Sequence, residues 1–102
     1  MIHVVAVITA LPGQRAKLLE AFAENRAAVL AEKGCVEYGA TIDAQGIPPS
    51  KASFGDDTFV VLEKWETLAD LQAHAVAPHM KAHGAKTKDL VASKLIHVLE
   101  PV

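Results

Sequence analysis

Apolar residues arrive along this chain in two rhythms. Ile2 to Ala10, IHVVAVITA, is rich in β-branched residues and stops at Leu11-Pro12-Gly13, which predicts a first strand ended by a turn. From about Gln14 to Glu32 the rhythm lengthens. Leu18, Leu19, Phe22, Arg26, Val29 and Leu30 recur at steps of three and four, the spacing of one helix face, and Gly34 offers the left-handed residue that ends many helices. Cys35 to Asp43 alternates loosely and predicts a second strand, followed by the turn-rich AQGIPPSKASFGDD of Ala44 to Asp57, a long loop. Phe59 to Trp65, FVVLEKW, predicts the third strand. Thr67-x-x-Asp70 then has the pattern of a capping box and opens a short helix over Leu68 to roughly Ala75. Pro78, tolerated in a first helical turn, starts a second piece that carries His79, Met80 and His83 toward about Lys88. Leu90 to Leu99 is the last strand, and Pro101 ends it.

The order strand, helix, strand, strand, helix, strand is that of the ferredoxin-like split βαβ plan, an α+β fold over one domain, residues 1–102. It predicts an antiparallel sheet with helices on one face and the first and last strands as neighbours. A sheet covered on one face alternates apolar and polar residues. Here Ile2, Val4, Ala6 and Ile8 are interleaved with Val5 and Val7, and Leu95 to Leu99 is apolar on both sides, so both faces call for burial. Helices cover one; the expectation for the other is the sheet of a second copy, giving a homodimer.

Composition narrows the partners. Apolar residues make up 51% of the chain and charged residues 22%, rich for so small a body and in keeping with an oligomer. A net charge of −2 with 10 lysines and arginines gives no basic footprint for nucleic acid or an anionic membrane. The lone Cys35 fits a reducing compartment, and neither a signal peptide nor a membrane-length apolar run is visible, so the expected location is cytoplasmic.

Four segments then occur in order: LPGQ at Leu11 to Gln14, EKGCVEY at Glu32 to Tyr38, LEKWET at Leu62 to Thr67, and AHAVAPHMKA at Ala73 to Ala82. None is specific alone, but the ordered set resembles the antibiotic biosynthesis monooxygenase family, and within it bacterial quinol monooxygenases, over nearly the whole chain. The resemblance implies a ferredoxin-like subunit, a dimer whose sheets form an α/β barrel-like core, and a pocket between each sheet and its own helices. It also implies a cofactor-independent monooxygenase acting on a small quinol or polyhydroxylated aromatic with O2. The fold does not fix the reaction, because relatives of this kind include haem-degrading enzymes and an isomerase. The alternative is a non-oxygenase dimeric module that binds or isomerises a small metabolite.

Cofactor-free oxygenation needs an apolar pocket for an aromatic ring, a base working near neutral pH, and exclusion of water. Histidine suits the base role. His74 and His79 match the family's H-x-x-x-x-P-H segment over the pocket, and His79, just after Pro78 at a helix start, is preferred because the helix dipole keeps its ring neutral and basic. Trp65, Tyr38, Glu63 and His83 are candidates for substrate binding, with core packing as the competing reading for Trp65 and Tyr38, and a partner such as Arg26 or a histidine expected for Glu63. His79 and His83 lie four apart on one helix face, a spacing a metal accepts, but two ligands are too few and no acidic or thiolate third is evident; no metal is expected. No glycine-rich phosphate cradle follows the first strand, so no cofactor is expected either. In the haem-degrading relatives an asparagine on the first strand and a tryptophan on the helix assist a histidine ligand. His83 stands near the ligand's place, but Val7 stands near the asparagine's and His74 near the tryptophan's, a departure that argues against haem chemistry. His3 and His97 are expected to be cross-strand neighbours, Cys35 a small buried residue, and Lys81, Lys86 and Lys88 a solvated face.

Overall fold

The computed structural model describes residues 1–102. Strand β1 (Ile2–Ala10) leads through the Pro12-Gly13 turn into helix α1 (Arg15–Leu30). Strands β2 (Cys35–Thr41) and β3 (Thr58–Trp65) follow, then helices α2 (Leu68–Ala75) and α3 (Pro78–Thr87), a 3₁₀ turn over Lys88–Leu90, and strand β4 (Val91–Leu99). The sheet order is β2-β3-β1-β4, and every pair is antiparallel. This is the ferredoxin-like arrangement the element order predicts, with β1 and β4 adjacent; within one chain the sheet is open, not a closed barrel.

The period of two sorts β1 and β3 into faces. Ile2, Val4 and Ala6 from β1 and Phe59, Val61, Glu63 and Trp65 from β3 are buried beneath the helices, with Leu18, Phe22 and Val29 of α1 packed onto them. The opposite face carries Val5 and Val7, half-buried, and Leu62, Leu95 and Leu99, exposed, so a single chain leaves the apolar outer face uncovered. His3 pairs with Leu99 and Val5 with His97, so the two histidines are diagonal on that face, not directly opposite.

Helix boundaries follow local chemistry. Thr67 caps α2, its hydroxyl accepting the Asp70 backbone N–H at 3.1 Å, and Pro78 opens α3 at a position where its missing N–H costs nothing. Helix α1 closes at Ala31 with right-handed backbone, before Gly34, whose positive φ of 79° serves instead the turn into β2. There the Gly34 carbonyl accepts the Glu66 N–H, and a side chain at 34 would overlap the carboxyl of Asp70. Gly34→Ala is therefore expected to cost about 2–4 kcal/mol, the left-handed penalty plus the displacement of Asp70. Gly46→Ala, with φ 73° and open space around it, isolates the first part and should cost about 1–2 kcal/mol. Urea unfolding of both measures the difference.

Candidate active site

Between the inner face of the sheet and the helices lies a cavity of about 430 Å³. Its walls are mostly aliphatic and aromatic, among them Val4, Phe22, Phe59, Val61 and Met80, and it continues along the inner side of β4, where Ile96 and Val98 remain exposed. Polar groups enter at two ends. Tyr38, Glu63 and His74 meet at one; His83 and Lys94 are the titratable groups toward the other.

At the first end, α2 and α3 present two histidines to one carboxylate. His74 Nδ1 lies 2.8 Å from Glu32 Oε2, and His79 Nε2 lies 2.9 Å from the same oxygen. A carboxylate only accepts, so each ring donates an N–H to it. In the neutral ring this leaves His74 Nε2 unprotonated, on the side of Glu63, whose Oε1 is 4.0 Å away. His74 is nearly inaccessible, 5% exposed, and is wedged between Tyr38 and Trp65, with ring centroids 5.7 and 4.7 Å from its own. Phe22 stacks on Tyr38 behind it. The aromatic wedge and the bond to Glu32 hold the imidazole in one orientation.

His79 does not line the cavity. The break at Pro78 puts it on a separate helix, and its ring reaches Glu32 from the outer, more exposed side, so of the two histidines the cavity wall carries His74. Trp65 does not line the cavity either: fully buried, it donates its indole N–H to Glu63 Oε1 at 2.9 Å and fixes that carboxyl from beneath. Tyr38, Glu63 and His83 do stand on the wall. Arg26 is not the partner of Glu63; its guanidinium donates to the Tyr38 carbonyl at 2.7 Å. Cys35 is half-buried, not enclosed, with its thiol pushed up by burial and by the nearby Glu32 and Glu63 charges.

Sequence spacing missed Glu32, which sits 42 residues before His74. Its one signal was membership of the EKGCVEY segment. Glu32, His74 and His79 bring three ligand atoms within 4.8 Å of one another, a donor set of the kind a divalent ion accepts, so the acidic third group that spacing did not show is present, with His74 and not His83 beside His79. The separations of 2.8 and 2.9 Å are those of hydrogen bonds.

Burial pushes the Glu63 carboxyl up from its ordinary value of 4.5, against the opposing pull of the Trp65 N–H and of His74. Tyr38 is raised by its burial and by the Glu63 and Glu32 charges, which keeps its hydroxyl a donor. Because the folded state holds the Glu63 proton more tightly, ionising this group destabilises the fold as pH rises above 4.5 through the raised value. Glu63→Gln, whose amide oxygen still accepts from Trp65, should therefore be more stable than the parent near neutral pH, with the gain vanishing below that window. Urea titrations at several pH values check this.

The sequence profile of the antibiotic biosynthesis monooxygenase family matches residues 1–86. The chain belongs to that family. YgiN of Escherichia coli K12, described as a probable quinol monooxygenase, is 39% identical over 104 residues, a match that covers 99% of this chain and 98% of YgiN. Among solved structures, PA3566 from Pseudomonas aeruginosa superposes with a TM-score of 0.81 at 24% identity, covering 99% of this chain and 93% of its own. Rv0793 from Mycobacterium tuberculosis does so with 0.80 at 22%, covering 99% and 94%. Both share the fold. No helix of this antibiotic biosynthesis monooxygenase family member is long and apolar enough to cross a membrane.

Proposed function

We propose that this protein is a cofactor-independent monooxygenase that oxidises a small quinol or polyhydroxylated aromatic with O2 in the cytoplasm. The observation that carries the reading is His74, a buried imidazole oriented by Glu32 on the wall of a mostly apolar cavity. The family and the 39% identity to a probable quinol monooxygenase support the substrate class. A phenolic hydroxyl placed at this end gives its proton to His74 Nε2, and Glu32 stabilises the imidazolium that forms. The electron-rich anion then passes an electron to O2, and the two radicals join in a carbon–oxygen bond. The imidazolium returns the proton to the peroxide, and loss of water leaves a carbonyl, so one oxygen atom enters the product and the other leaves as water. The apolar walls strengthen the charge interactions and keep bulk water from the intermediates. Oxygen uptake by metal-free and flavin-free protein over a panel of hydroquinones tests the reading: turnover with at least one is expected, and no uptake with any would remove it.

The proposed working unit is a homodimer joined through the outer sheet face. Val5, Val7, Leu62, Leu95 and Leu99 supply an apolar patch that a lone subunit would leave in water. Sedimentation at micromolar concentration should show a dimer, and Leu95→Glu, placing a charge in that face, should shift it to monomer. A parent protein that sediments as a monomer would contradict the pairing.

A further inference from the structure

The end of the cavity away from His74 has chemistry that proton abstraction does not use. Ile8 pairs with Lys94, Ala6 with Ile96 and Val4 with Val98, and all six residues line the cavity. Lys94 thus interrupts an apolar inner face with a cation. Lys64 and Lys86 have carboxylate partners, Glu37 and Glu24, but Lys94 has none. Beside it on the wall stands His83, held below its ordinary value of 6.5 by burial and by the Lys94 and Lys86 charges, and so neutral at pH 7. Lys94 is then the one full positive charge on the wall, and the nearest acid facing the cavity, Glu63, lies at the opposite end.

The cavity is therefore polarised, with carboxylates around His74 and a cation by β4. From Glu63, opposite Val4, to Lys94, opposite Ile8, is four residues of strand, about 13 Å, and two strand spacings, about 10 Å. A lysine stem, one or two fused rings and a hydroxyl bridge that span.

We infer that Lys94, with His83, forms a recognition site for an anionic substituent, so that the ligand is a phenol or quinol carrying a carboxylate, sulfonate or phosphate at the end remote from its reacting hydroxyl. This rests on the proposed function and adds a substrate class to it. The charge at Lys94 aligns the molecule, because the reverse orientation would set its anion against Glu63 and leave the hydroxyl at the cation. The ammonium of an exposed side chain retains part of its hydration, so the site contributes selectivity more than raw affinity.

Calorimetric binding at low salt tests this without requiring turnover. The probes are 6-hydroxy-2-naphthoate and its neutral analogue 6-hydroxy-2-naphthalenemethanol. The parent protein should bind the carboxylate about tenfold tighter or more. Lys94→Met should bind both alike, and Lys94→Glu should prefer the neutral one. Phenyl phosphate and benzenesulfonate, compared with benzyl alcohol, distinguish the kind of anion. Equal binding of the two naphthols by the parent, or a preference that survives in Lys94→Met, overturns the inference. A Lys94-dependent preference without oxygen uptake supports the anion site while removing the oxygenase reading. Binding of neither naphthol overturns the inference and leaves the oxygenase reading to the hydroquinone panel.

Discussion

Replacing His74 by alanine is expected to lower turnover with a reactive quinol by about a hundredfold or more, the usual contribution of a general base and equivalent to about 2.7 kcal/mol of barrier. His74 has the position the role requires. It lines the cavity, its Nδ1 is tied to Glu32 at 2.8 Å, and its free nitrogen is on the side of Glu63. His79→Ala should cost much less, because His79 touches the site only through Glu32. His79→Gln, which keeps an N–H for that carboxylate, should recover most of the loss. Steady-state oxygen uptake on both variants, with circular dichroism to verify folding, gives the comparison. A His79→Ala defect as large as that of His74→Ala would return the base to α3 and contradict the assignment.

Glu32→Ala is expected to act on stability and on rate together. One oxygen accepts from two imidazoles, so its removal strands two donors. The His74 donor is enclosed, its side chain 7% exposed, whereas that of His79 is 30% exposed and recovers a partner from water. The loss should be about 2 kcal/mol, dominated by His74. Turnover should fall about tenfold or more, because the ring loses the bond that fixes its tautomer and the charge that stabilises its protonated form. Glu32→Gln retains an acceptor oxygen for one ring and should lie between. Chemical denaturation and kcat at saturating quinol check the two effects separately.

The pattern of the chain reveals the fold because its strands and its long helix are governed by local rules. IHVVAVITA and FVVLEKW are β-branched and bounded by turn residues, and the Leu18, Phe22, Val29 series meets the sheet as one face. Differences fall at the ends. Strand β2 stops at Thr41, short of Asp43, because Asp43 turns to accept the Phe54 and Gly55 N–H groups of the long loop. The start of β4 is preceded by a 3₁₀ turn that sequence rhythm does not distinguish from strand.

The site is less legible, since it is made by tertiary contact. HAVAPH shows two histidines at a spacing no single helix face accommodates, and the break at Pro78 resolves it: α2 and α3 approach Glu32 from two sides. No local rule connects Glu32 to residues more than forty positions away. The same holds for Trp65 and Glu63, two apart on one strand face, whose mutual hydrogen bond is local, while the burial that makes it matter comes from the helices above.

The most direct test of the central claim is the mass of the product formed under ¹⁸O₂ by metal-free and flavin-free protein. One ¹⁸O atom per product molecule, at a rate that collapses in His74→Ala, is the expected result. Product without label, or label that appears only when a metal or flavin is added, would contradict it.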